Sequence, residues 1–326
     1  ILTQVPFVNM FGAAFWYGRL ISLISAVAAA VLIAAIIGVL FKDAIAALVS
    51  ALLFVSMPYL LHWSALGRID TLALALSLCG LLVIAWKPEH RGANILSLIF
   101  LTAAAYTRQT YLLAAPIAAC AWLWGRVSPT RAVEVGLLFV ALILAIFIPL
   151  LIITHGGIFF HLVTANVNAL DSRLVNFFAD EVSHWLPIAL AGGALWLIGG
   201  WLHKSGAWWL IGAYLIGGLA IAFTISKVGS DVNYLYELMA ALTLAAGALI
   251  SAARNLPAVR AALIAAAAVQ MVMLIGLSDA RYYALSTARI HERQADMDRL
   301  AALIAAETAP ILADEVSITA RSPPST

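Results

Sequence analysis

The polar residues of this chain lie almost entirely in the gaps between long apolar stretches. Hydrophobic residues make up 64% of the 326 residues and charged residues only 10%. A hydrocarbon core about 30 Å thick needs roughly 20 apolar residues per helical span. The pattern therefore predicts an integral membrane protein of the all-α class, a polytopic bundle of about ten transmembrane helices.

The predicted spans differ in length, and the shorter ones are expected to tilt, break or pair with a neighbour. They are Trp16 to Phe41, Ala44 to Leu61, Thr71 to Trp86, Ala93 to Ala105, Tyr111 to Trp124, Val133 to Ile153, Trp185 to Leu202, Trp208 to Ile225, Tyr234 to Ala253 and Ala258 to Leu277.

Alternate gaps between these spans differ in charge. One set is basic and holds Lys42, Lys87, Arg91, Arg126, Arg131, Lys204, Arg254 and Arg260. The other set has fewer cations and most of the loop carboxylates. The excess of Lys and Arg places the first set in the cytoplasm and the second outside, so chemistry is expected on the outer face. A net charge of +2 with singly scattered cations gives no indication of nucleic-acid binding.

The longest outer gap, residues 154–184, contains one amphipathic segment. Leu174, Phe178 and Val182 fall on one side of a helix, and Arg173 and Asp180 fall on the other. This predicts a helix lying along the membrane surface, where a lipid substrate could enter sideways. A purely structural linker is the alternative.

Two short outer turns carry candidate site residues. Arg68 and Asp70 lie where one span ends and the next begins, and Arg108 and Gln109 lie in the following outer turn. Asp70 is either a functional acid or half of a salt bridge that fixes the turn. Arg108 either meets an anion, such as a carboxylate or a lipid phosphate, or extends to the lipid head groups.

The densest polar cluster is the run from Lys227 to Glu237. It offers Lys227, Asp231, Asn233, Tyr234 and Glu237 as candidate contacts to a phosphate or sugar. The alternative is a helix start with Asp231 as its N-cap and Lys227 as an interfacial anchor.

Both ends of the chain suggest a fragment of a longer protein. The chain begins at Ile1, and an amphipathic helix near the C-terminus is followed by a strand-like segment after Pro310. The predicted domains are a membrane domain over residues 1–285 and, over residues 286–326, an amphipathic helix with the beginning of a soluble extracytoplasmic domain.

These motifs and their order resemble the GT-C glycosyltransferases that use polyprenyl-phosphate sugars, a group that includes protein O-mannosyltransferases and a bacterial family-39-like branch. The similarity rests on Gly18-Arg19-Leu20, on Ala65 to Asp70, on Tyr106 to Thr110 and on Lys227 to Glu237. The resemblance implies an extracytoplasmic active site in a bacterial inner or plasma membrane, a lipid-linked sugar donor and a hydroxyl acceptor.

The resemblance also implies residue roles. Asp70 corresponds to the second outer acidic residue of such sites, and Arg108 would face the donor phosphate. The first helix and the acidic first loop would precede Ile1, so the catalytic base is not named here. No cofactor is certain from the sequence, and a divalent cation stays open.

Two other functions fit the same pattern. A non-catalytic subunit of GT-C type could pack in a larger membrane complex, and a transporter could line a path with charges. The transporter ranks last because the charges lie at one face rather than at mid-span.

Overall fold

A computed structural model describes residues 5–12, 14, 16–278 and 287–306. The described residues form fifteen α-helices joined by short 3-10 turns. The helices are α1 (Val5–Phe11), α2 (Trp16–Phe41), α3 (Ala44–Val55), α4 (Pro58–Ser64), α5 (Asp70–Trp86), α6 (Arg91–Thr107), α7 (Ala114–Arg126), α8 (Pro129–Ile153), α9 (Gly157–Leu162), α10 (Ser172–Trp185), α11 (Pro187–Leu202), α12 (Trp208–Ala222), α13 (Tyr236–Ala252), α14 (Pro257–Ser278) and α15 (Thr287–Ala306).

The all-α prediction is confirmed, and nine of the ten predicted spans each coincide largely with one helix. Within the described residues, five helices are individually long and apolar enough to cross a membrane, and α10 with α11 forms a sixth candidate bent by 93°. The span predicted over Ala44 to Leu61 is broken in two, because Pro58 begins a new helix after Met57 takes an extended conformation. The strand-like segment after Pro310 lies outside the described residues, whereas α15 forms the amphipathic helix that the sequence predicted.

Successive helices place the two sets of gaps at opposite ends of the bundle. One end, the Asp70 end, contains the turns before α2 and α5 and the turn after α6. Gly67 lies here with a φ of 72°, and a Cβ on it would stand 3.2 Å from the backbone of Gly18 and Arg19. Glycine at this position therefore lets the turn before Asp70 pack directly on the start of α2. Two of the motifs that carry the family resemblance meet at this contact.

The long gap before α11 is fixed to the same end. Asp171 caps α10 and donates its backbone N–H to Ser226, and the N–H of Val228 bonds to Ala169. α10 buries Phe178 and Val182 against the bundle, and the 93° bend separates its direction from that of α11. This geometry suits the predicted interfacial helix.

The opposite end, the Asp43 end, is held by an ion pair. Both oxygens of Asp43 accept from Arg260 at 2.7 and 2.9 Å, and Ser251 donates to the same carboxylate at 3.1 Å. The Asp43 carboxylate also caps α3 through the N–H of Ala46. Arg260, read from the sequence only as a topology signal, therefore also joins α14 to the α2–α3 turn.

Replacing Asp43 with Asn is expected to destabilise the protein by about 1.5–3 kcal/mol, the range for losing hydrogen bonds to a charged group. Burial raises the pKa of Asp43, but the bonds from Ala46 and Ser251 and the charge of Arg260 outweigh it and hold the pKa below the usual 3.8. The ion pair therefore stabilises the fold above that pH and loses this contribution as the pH falls through the lowered pKa.

Thermal unfolding in detergent between pH 7 and pH 3 measures this difference. The difference in unfolding temperature between the wild type and Asp43→Asn should become smaller as the pH approaches 3. If this difference in unfolding temperature stays the same from pH 7 to pH 3, the charged form of Asp43 does not have the stabilising role assigned to it. The partly exposed pair Arg131–Glu134 is the control, since its removal should cost well under about 1 kcal/mol.

Candidate functional site

Asp70 is the most enclosed acidic group at its end of the bundle. It is the first residue of α5, and the residue is 1% exposed. Arg68 donates to one carboxylate oxygen at 3.2 Å, and Arg108 forms an ion pair with the other. The amide of Asn233 donates to that second oxygen at 3.2 Å. Asp70 thus joins three segments that lie far apart in the chain.

Arg108 is the most buried cation of this group. Its side chain is 11% exposed, compared with 45% for Arg68. The Nε of Arg108 donates to Thr110 at 3.1 Å, and its guanidinium lies 4.7 Å from the ring centre of Tyr234. Because these contacts already fix the guanidinium, it loses little further conformational entropy when it binds an anion.

The turn that carries Arg108 is itself attached to Asp70. A 3-10 helix over Gln109–Leu112 follows Arg108, and the hydroxyl of Tyr111 within it donates to the backbone oxygen of Asp70 at 3.2 Å. The sequence analysis did not assign roles to Thr110, the last residue of the selected motif, or to Tyr111, which follows it. The closeness of both residues to Arg108 in the sequence was the feature that could have indicated a role in the same turn.

The other predicted site residues surround this centre at different depths. Gln109 and Asp231 are exposed, and Asp231 caps the 3-10 helix that begins at Val232. Lys227 is half-buried and, among the described residues, forms no ion pair. Its backbone forms an isolated bridge with Leu170.

Glu237 is almost as enclosed as Asp70. It belongs to the first turn of α13 and is 2% exposed. Tyr214 on α12 has Glu237 as a polar neighbour, and Gly218, one turn along α12, allows the two helices to approach closely. A Cβ on Gly218 would lie 3.0 Å from the backbone of Leu238. Direct contact with a substrate would need these helices to separate.

The charges of the centre favour an anion. At the contact with Asp70, Arg68 and Arg108 face one carboxylate, which leaves one positive charge in excess there. Farther out, Asp231 offsets Lys227, and Glu237 is a second carboxyl group near Arg108. In a partly dehydrated site, this excess attracts a phosphate more strongly than it would in water. Within the described residues, no group of three His, Cys, Asp or Glu side chains could share a metal ion.

An apolar groove begins beside this centre. It runs between α7 and α8, has a volume of about 710 Å³ and starts at Leu112 and Leu113, the residues that follow the Arg108 turn. Ile117, Cys120 and Gly136 line its middle, and Trp124 and Trp209 line its far end. The groove therefore extends from the cationic centre along the membrane-facing side of the bundle.

The match to a known family coincides with this half of the site. Residues 3–153 match the family model described as dolichyl-phosphate-mannose-protein mannosyltransferase. The resemblance read from the motifs is confirmed over these residues. Over these residues the chain is similar to membrane glycosyltransferases of the GT-C type, a family whose description implies a lipid-linked sugar donor and contact with membrane lipids. The searches of curated proteins and of solved structures found no similar protein.

The matched range contains Arg68, Asp70 and Arg108 together with most of the apolar groove. Asn233 and Tyr234 lie beyond the matched range. Their contacts with Asp70 and Arg108 are therefore seen only in the three-dimensional structure.

Proposed function

We propose that the protein transfers a sugar from a polyprenyl-phosphate donor to a hydroxyl acceptor at the extracytoplasmic face. The observation that carries this proposal is the enclosed Asp70–Arg108 pair at the start of an apolar groove. A lipid-linked sugar has the same order of parts, because an anionic phosphate joins a polar sugar to a long apolar chain.

The donor phosphate would bind on the solvent side of Arg108 and Arg68. As the bond between the anomeric carbon and the phosphate oxygen breaks, negative charge grows on the departing phosphate. A guanidinium already fixed by Asp70, Thr110 and Tyr234 stabilises that charge with little rearrangement during the reaction. Lys227 and Gln109 would contact the outer part of the donor.

Asp70 is assigned a supporting part in this reaction. Its two oxygens are occupied by Arg68, Arg108 and Asn233, so it holds the cations rather than removing the acceptor proton. Removal of this proton is assigned to a different acidic group. In the proposed membrane orientation, the donor phosphate and the centre lie on the same face.

A transfer assay tests the proposal directly. The full-length protein, in membranes or detergent, is supplied with a radiolabelled polyprenyl-phosphate sugar extracted from the host membrane, and label is followed into acceptor and lipid fractions. Release of polyprenyl phosphate with label in an acceptor is the expected result. Binding of the donor without any transfer would support a non-catalytic subunit instead.

Filling the groove should impair the use of long-chain donors. A Cβ on Gly136 would lie 3.4 Å from the sulphur of Cys120, so Gly136→Leu places a side chain inside the groove. Bilayer lipids are as apolar as the groove, which therefore orients the chain rather than attracting it. Displacing the chain is expected to lower kcat/KM by roughly 10- to 100-fold.

The matched control is Gly38→Leu on α2, where an added Cβ meets no atom within 4 Å. A donor with one or two isoprene units should be used equally well by wild type and Gly136→Leu, because it does not reach the middle of the groove. Equal loss with short and long donors would contradict this position for the chain.

A further inference from the structure

A second cavity lies at the Asp43 end of the bundle, away from the Asp70 centre. It has a volume of about 500 Å³ and is formed at the turn between α11 and α12. Its lining combines three indole rings with a lysine and a hydroxyl group, from Trp201, Trp208, Trp209, Lys204 and Ser205. The transfer chemistry described above uses none of these residues.

The shape of this cavity depends on several glycines that leave room for the indoles. A Cβ on Gly125 would lie 2.2 Å from the ring of Trp209, and a Cβ on Gly200 or Gly212 would lie 2.9 Å from the ring of Trp208. The indole nitrogen of Trp208 donates to the backbone oxygen of Leu197 at 3.0 Å. The aromatic walls are therefore fixed in place by packing and by this hydrogen bond.

Two cations lie at this turn, Lys204 in the lining of the cavity and Arg126 beside it. Arg126, at the end of α7, stacks over Trp122 with 5.3 Å between the guanidinium carbon and the ring centre. Its Nη1 lies 3.0 Å from the position that a Cβ on Gly206 would occupy, which brings it against the turn that carries Lys204 and Ser205. Lys204 stands at the tip of the turn with a φ of 50°.

Neither cation has an acidic partner in the described parts of the chain. The carboxylates that form ion pairs at this end are engaged elsewhere, Asp43 with Arg260 and Glu134 with Arg131. The cavity also opens beside an exposed apolar strip of α11 that contains Leu195, Ile198 and Leu202. The surface thus combines two unpaired positive charges, a hydroxyl donor, an aromatic wall and an adjoining apolar strip.

We propose that this cavity binds the head group of an anionic phospholipid, with the phosphate between Arg126 and Lys204 and an acyl chain along the exposed strip of α11. Basic pockets between membrane helices at the cytoplasmic side select anionic head groups, and indole rings favour the depth at which those head groups lie. The charge arrangement distinguishes this occupant from a zwitterionic lipid, whose choline or ethanolamine would be repelled.

The test measures lipid binding to the detergent-purified full-length protein by native mass spectrometry, with phosphatidylglycerol and phosphatidylcholine of matched chains as the probes. Phosphatidylglycerol is expected to bind the wild type more tightly. The double variant Arg126→Ala/Lys204→Ala should weaken that binding about 30-fold, the equivalent of about 1 kcal/mol for each cation near the surface. Phosphatidylcholine binding should change little.

The matched control is Lys87→Ala/Arg91→Ala, which removes the same charge from exposed positions at the same end of the bundle. It should bind phosphatidylglycerol like the wild type. The exchange Arg126→Lys/Lys204→Arg keeps both charges and should retain most of the binding. Equal weakening in the two alanine variants, or no preference for phosphatidylglycerol in the wild type, would overturn the proposal.

Discussion

Replacing Asp70 with Asn is expected to abolish sugar transfer and to destabilise the protein by about 3–5 kcal/mol. The residue is 1% exposed and compensates Arg108, whose side chain is 11% exposed. Without the carboxylate, a buried guanidinium has lost its counter-charge, which is among the most costly single changes in a folded protein. Without the Asp70 carboxylate, Arg108 and Arg68 are also no longer held in the orientation in which they would bind the donor phosphate.

Separating the two effects needs a variant that is destabilised elsewhere. Asp43→Asn is the matched control, because it also breaks a carboxylate–arginine pair but at the opposite end of the bundle. Transfer is measured per folded molecule, with the folded fraction taken from thermal unfolding. Asp43→Asn should keep wild-type transfer and Asp70→Asn should not. Normal transfer by folded Asp70→Asn would remove this residue from the mechanism.

The neutral pair Asp70→Asn/Arg108→Gln tests the origin of the stability loss. Removing both charges leaves no buried ion without a counter-charge, because Arg68, the remaining partner of Asp70, is 45% exposed. The double variant should therefore recover much of the unfolding free energy that Asp70→Asn loses. A double variant as unstable as Asp70→Asn would show that the cost comes from packing at the start of α5 instead.

Replacing Arg108 with Lys should lower kcat/KM for transfer by about 100- to 1,000-fold, the usual cost of losing one donor that stabilises developing negative charge. Lysine keeps the charge but loses the planar fork that reaches Asp70 and Thr110 together, and it loses the stacking on Tyr234. Protein stability should change less than in Asp70→Asn because a cation still faces Asp70.

The comparison for this variant is Arg91→Lys, an exposed arginine at the start of α6, which should transfer normally. Kinetics over a range of donor concentrations distinguish the alternatives. A rise in KM with an unchanged kcat would assign Arg108 to ground-state binding of the phosphate alone.

The sequence by itself determined the helices. Runs of apolar residues long enough to cross a membrane have few alternatives to helix in lipid, because every backbone polar group must be satisfied within the segment. The predicted spans therefore coincide with helices, and the cap at Asp231 could be read from local spacing alone. The break before Pro58 was missed because the surrounding residues remain apolar on both sides.

Only the tertiary structure decided which polar groups meet. Asp70 and Asn233 are 163 residues apart and Asp43 and Arg260 are 217 apart, so no local spacing relates them. These contacts follow from tertiary packing, which depends on small residues at close approaches, such as Gly67 in the turn against α2 and Gly218 in the crossing of α12 with α13. Hydrophobic periodicity defines each helix, but it does not determine which helices pack together or how each helix is rotated about its axis. The side chains at the crossings fix both, and with them the centre built around Asp70.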